Sequence, residues 1–231
     1  MGLGCKHQSH CLPFVRVDEY CSGLWSRGKP RLSRGGYGVM EFRLKRKQKM
    51  IKQTRQWVES IVVGNGFCPF ARPVLERGSI HYDVVLNAEI EECLGALLQA
   101  CLLLDERHDV DTSLIIFGEA FEAFDDYLHF VHVSELLLNE QGYEGVYQLA
   151  SFHPDYRFAG AAADDPANFT NRSVYPMLHL LRESSVEAAL VNYETPERIP
   201  ERNIQYARAK GLAQMQSTLQ ACKSIIGGVD D

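Results

Sequence analysis

The sequence predicts one α/β domain: a small sheet with flanking helices in a single layered unit. Three observations predict it. At 231 residues the chain suits one compact domain with an added arm. Three short strand-like runs alternate with longer amphipathic stretches, in the order strand, helix, strand, helix, strand. The composition, 45% hydrophobic and 23% charged, is that of an ordinary globular protein. An α+β, ferredoxin-like arrangement of split βαβ units satisfies the same pattern, and the two stay open at this point.

Residues 1–40 show no sustained period, and 22–38 (SGLWSRGKPRLSRGGYG) are dominated by Gly, Ser, Arg and Pro. The expectation is a basic, disordered arm over residues 1–48, with Met40 and Met50 as alternative starts, ahead of a domain over 49–231. A helix is predicted over 49–63 from the one-sided placement of Ile51, Val58, Ile61 and Val62, ended by Gly64-Asn65-Gly66. The Pro-rich stretch 67–73 reads as a loop. Strands follow over 80–86 (IHYDVVL), 112–117 (TSLIIF) and 145–152 (GVYQLASF). Between them lie helices over 88–105, with a stripe of Ile90, Leu94, Leu97, Leu98 and Cys101, and over 121–140, with Phe121, Phe124, Leu128, Val131 and Leu138.

Beyond residue 152 the pattern changes. Residues 153–183 are rich in polar residues, Gly and Pro, and Asp165-Pro166 is a cap followed by a first-turn proline. A helix is expected from Pro176 to Glu183, and a capping box (Ser184 to Glu187) opens another over 185–191. A last helix over 201–226 carries Leu212, Met215, Leu219, Cys222 and Ile226 at steps of three and four. That seam has two readings, packing on the sheet and a homodimer contact.

Charge is divided unevenly along the chain. Residues 1–55 carry 13 Lys or Arg against 3 Asp or Glu, and the remainder carries 11 against 27. An acidic body repels phosphates, so nucleic acid is expected to meet this chain only through the basic arm. No run approaches the ~18 apolar residues of a membrane span, and no membrane partner is expected. Seven cysteines without a CxxC pair fit free thiols in a reducing compartment. With no signal-peptide pattern after Met1, the expected location is cytoplasmic.

The residues that could carry chemistry gather late in the chain. His153 directly follows the third predicted strand, with Asp155 two residues on, where open sheets place ligands. If 176–183 is helical, His179 and Glu183 share a face and Arg182 borders it. An imidazole–carboxylate pair at that spacing, joined by His153, would make a two-histidine, one-carboxylate set for zinc, iron or manganese. The same three side chains could instead do acid–base work or merely fix the fold. Asn171 and Arg172 stand in a dense polar string (NFTNRS), and with Arg182 and Asp155 they are candidates for orienting an anionic small molecule. Cys68 is the one body cysteine in a loop, a candidate reactive thiol or a small buried residue in a turn.

The strings NGFCPFARPV (65–74), YQLASFHPDYRFAG (147–160) and NFTNRSVYPMLHLLRES (168–184) resemble an uncharacterised bacterial family, domain of unknown function 1415. The resemblance covers about residues 50–215, with Val174 where the family pattern has proline. It implies that Cys68, His153, Asp155, Asn171, Arg172, His179, Arg182 and Glu183 stand in family motifs, and it supplies no activity. The functional expectation is therefore a small enzyme acting on an anionic small molecule through a His/Glu/Arg site. The alternative is a binding or interaction module in which those residues form a structural polar network.

Overall fold

A computed structural model describes residues 34–191 and 193–225. Residues 1–33 of the arm expected over 1–48 lie outside them. The first helix, α1 (Arg34–Trp57), begins well before residue 49, so residues 34–48 are helical rather than irregular. The fold described below is that of the unit that begins at Glu41. α1 runs on into a π-helical turn, Val58–Val63, and a short helix α2 (Ala71–Arg77) occupies part of the expected loop. Then come β1 (Ile80–Val85), α3 (Ile90–Glu106), β2 (Thr112–Phe117), α4 (Phe124–Glu140) and β3 (Tyr147–Phe152), close to their predicted places.

The largest departure is the next element. Residues Met177–Arg182 form a strand, β4, not a helix. β4 lies between β2 and β3 in a four-stranded sheet of order β1-β2-β4-β3, antiparallel to both neighbours, while β1 and β2 pair in parallel. Met and Leu are strong helix formers, so local propensity argues for a helix here. Burial on both faces decides otherwise: Met177, Leu178 and Leu180 are fully buried, on alternating sides. The parallel β1/β2 pair joined through α3 is a βαβ unit of adjacent strands, which sets aside the ferredoxin-like alternative.

Two cores follow from this alternation. One face packs Leu114, Ile116 and Met177 against Met50, Trp57 and Ile61. The other packs Ile115, Phe117, Leu178 and Leu180 against Leu97, Leu104, Tyr127 and Phe130 of α3 and α4. β2, buried along its whole length, serves both. The C-terminal region is two helices rather than one, α6 (Ile199–Lys210) and α7 (Leu212–Lys223). They are broken at Gly211, whose φ of 82° a side chain would strain. Met215, Leu219 and Cys222 of the seam are buried in the first core and Leu212 packs against it, while Ile226 lies outside the described residues. Between β4 and α6 lie a short helix, α5 (Glu183–Leu190), and a 3₁₀ turn, Pro196–Arg198.

Tyr127 fastens the sheet to α4. Its hydroxyl donates to the Met177 carbonyl (2.6 Å) and accepts from the Phe152 N–H (3.0 Å), pinning β4 and β3 side by side at one end. Tyr127→Phe leaves two buried backbone groups without this partner. The expected loss is about 2–4 kcal/mol of unfolding free energy, read from urea denaturation.

Candidate functional site

The two predicted site histidines lie on opposite faces of the sheet. In β4, Met177, His179 and Leu181 point to the face that carries Trp57, and Leu178 and Leu180 to the face that carries α4. His153 packs against Phe124 and Tyr127 of α4, at ring distances of 5.2 and 5.1 Å. The β3 residue opposite His179 is Ala150. His153 is three residues beyond it, roughly 10 Å along an extended chain. Glu183 is four extended residues past His179, roughly 13 Å. It opens α5, and its N–H is held by the Val146 carbonyl at 3.0 Å. The three side chains therefore do not share a metal ion. Among the described residues no group of three His, Cys, Asp or Glu is placed to hold one.

His153 is itself fully engaged. Its Nε2 meets the Phe121 carbonyl at 2.9 Å, and its Nδ1 accepts the Asp155 N–H at 3.0 Å. A carbonyl can only accept, so the proton sits on Nε2 and no lone pair is left for a metal. The bond also steadies Phe121, which adopts φ 62°, unusual for a bulky residue, with its ring stacked on Phe130 at 4.1 Å. Burial lowers the His153 pKa.

The polar string beside it is likewise satisfied from within. Asn168, fully buried, accepts from the Phe158 N–H (3.1 Å) and donates to the Ala162 carbonyl (2.8 Å). Asn171 donates to the Ser151 carbonyl at 3.2 Å. Arg172 donates to the carbonyls of Tyr156 (3.1 Å) and Ala163 (2.7 Å), and its guanidinium lies over the Phe169 ring at 4.7 Å. Arg182 caps the end of α3, donating to the carbonyls of Leu104, Arg107 and Val110. Asp155 contributes its backbone N–H to His153. These residues, expected to orient an anion, hold loops and a helix end in place.

What the sheet does build around His179 is a chamber of about 520 Å³. Its floor is the cross-strand row Leu114–His179–Ala150. The neighbouring row, Ile116–Met177–Phe152, is larger and is covered by Trp57, whose ring meets Phe152 edge to face at 5.0 Å. A small residue at Ala150 leaves the space beside His179 open. The outer wall comes from the loop holding Cys68 and Phe70, from α2 (Val74), and from α5 (Val186, Ala189). Neither short helix has a fully buried residue, so this wall is thin.

At one end of the chamber stand Arg77 and Asp111, paired at 2.6 Å. Burial pushes the Asp111 carboxyl up, but hydrogen bonds from Ser79 and Arg77 outweigh it and hold it below its ordinary value. Cys68 and His179 thus face one space, a pairing that sequence spacing gives no sign of. Burial pushes the Cys68 thiol up, against the N–H groups of Phe70 and Ala71. His179 meets the Thr112 hydroxyl through Nε2 at 2.7 Å, and burial pushes its pKa down to about 4. It retains some exposed surface, and the space it is exposed to is the chamber. Thr112, Trp57 and Phe70 escape a reading of the sequence. The only trace of Thr112 is a hydroxyl residue opening an otherwise apolar buried strand. A smaller cavity, about 240 Å³, lies by Tyr193 and Arg202. There Arg202 is taken up by the Tyr193 hydroxyl and the Gly66 carbonyl.

The sequence pattern of the DUF1415 proteins of unknown function matches residues 49–217. The chain belongs to that family. The match spans every element from the C-terminal half of α1 into α7, and so the whole chamber. No curated protein and no solved structure matches the chain.

Unfolded, His179 titrates near 6.5; folded, it stays neutral down to about pH 4. Between these values the unfolded chain binds a proton that the folded chain refuses, so stability falls as pH drops. The shift is equivalent to about 3 kcal/mol by pH 4. His153, shifted the same way, adds to the slope. Chemical denaturation of the parent and His179→Gln at pH 7.5 and pH 4.5 is expected to show a markedly smaller acid loss in the variant.

Proposed function

We propose that this protein binds a small, predominantly apolar molecule in the chamber beside His179, as a binding protein rather than a metalloenzyme or hydrolase. One observation carries the reading: an apolar space of about 520 Å³, within the size range of small-molecule sites, with a half-buried imidazole in its floor. Catalysis is the weaker reading of the same residues. A general base works best with a pKa near the working pH, and an imidazole held near 4 is far from it. A thiol raised by burial is not a poised nucleophile. The arginines expected to hold an anionic substrate are committed to carbonyls, which argues for a neutral ligand.

No helix among the described residues is long and apolar enough to cross a membrane. Cys68, Cys93, Cys101 and Cys222 are all free thiols. That usage supports a reducing, cytoplasmic setting for the binding activity.

Titration with the neutral, environment-sensitive dye Nile red tests the reading. Saturable binding with a blue-shifted emission is expected from the parent. Val186→Trp, which projects an indole into the chamber from α5, is expected to weaken it at least tenfold while the far-UV circular dichroism stays unchanged. Equal dye affinity in parent and folded variant would place binding elsewhere and overturn the proposal.

A further inference from the structure

We infer that the chamber selects a flat aromatic molecule offering one neutral hydrogen-bond donor, a phenolic O–H or an indole-type N–H, to Nδ1 of His179. This rests on the chamber reading above and specifies its ligand. The Thr112 hydroxyl has a single proton to give. Thr112 Oγ1 lies 2.6 Å from the Leu180 carbonyl and 2.7 Å from His179 Nε2. The carbonyl can only accept, so the hydroxyl proton goes to it. Oγ1 must then accept from Nε2, which fixes the proton of the imidazole there. Nδ1 carries the lone pair, and no described residue donates to it. That atom is not sealed in the core: it is an accessible acceptor on a half-buried ring that lines the open chamber. A donor on the ligand satisfies that lone pair.

The same tautomer rejects anions. The ring is neutral across physiological pH, so a carboxylate would meet a lone pair rather than a positive charge. The nearest cations are already spent: Arg77 pairs with Asp111, and Arg182 caps α3. Shape supplies the aromatic preference. Trp57 and Phe152 form an edge-to-face pair on one wall, and Phe70 lines another, surfaces that suit a planar ring.

The test is isothermal titration of the full chain with three naphthalene probes: β-naphthol, its methyl ether and naphthoate. β-Naphthol is expected to bind about tenfold more tightly than the methyl ether, which has the same shape but no donor, and naphthoate is expected to bind weakest. In His179→Phe the naphthol and its ether should bind alike. If the variant does not fold, the parent alone decides: naphthol should shift the ¹⁵N resonance of His179 Nδ1, and the ether should not. Equal affinities for naphthol and its ether would overturn the donor claim and leave the chamber reading standing. Tightest binding of naphthoate would overturn it in favour of anion recognition. Failure of all three probes to bind the folded parent would overturn both.

Discussion

The fold depends on one constraint, the burial of β4 in the middle of the sheet with hydrogen-bonded neighbours on both sides. A strand in that position cannot choose which residues face which core. Leu178 and Leu180 go to the α3/α4 side, and Met177, His179 and Leu181 go to the other. A one-residue slip would exchange them all. That places an imidazole on an apolar floor. It also removes His179 from any shared site with Glu183, which the strand carries more than a helical turn away. The register then sets the size of the space above His179, because its cross-strand neighbours are Leu114 and the small Ala150.

A second constraint acts at the edge of the sheet, beyond β3. Residues 153–173 leave the sheet edge with little regular structure beyond one 3₁₀ turn, so their backbone groups need partners from side chains. Asn168, Asn171 and Arg172 provide them, and His153 anchors the Phe121 turn. The Trp57 indole donates to the Arg172 carbonyl at 2.9 Å, tying this network to α1 and so to the roof of the first core. The density of polar residues in the segment is thus the requirement of an irregular but buried chain.

The strands β1, β2 and β3 and the helices α3 and α4 are legible in the sequence because period and propensity agree there. β4 is not, because Met-Leu-His-Leu-Leu-Arg carries helix-forming residues whose two-sided burial becomes evident only once the neighbouring strands are in place. That single reversal dissolves the His179/Glu183 pairing, whose logic is the helical repeat. Cys68 and His179 each stand out in the sequence, but their meeting in one chamber is a product of tertiary packing between distant parts of the chain. Thr112 is hidden for the same reason: its role is to fix the tautomer of a histidine on the adjacent strand, which no local pattern encodes.

The claim on which the functional account stands is that His179 is a neutral imidazole, protonated on Nε2, with its Nδ1 lone pair open to the chamber. Two-dimensional ¹H–¹⁵N correlation of the histidine side chains across a pH titration reads this directly. The account predicts an Nε2–H tautomer that persists to about pH 4. A tautomer protonated on Nδ1, or titration near the ordinary value of 6.5, would contradict it.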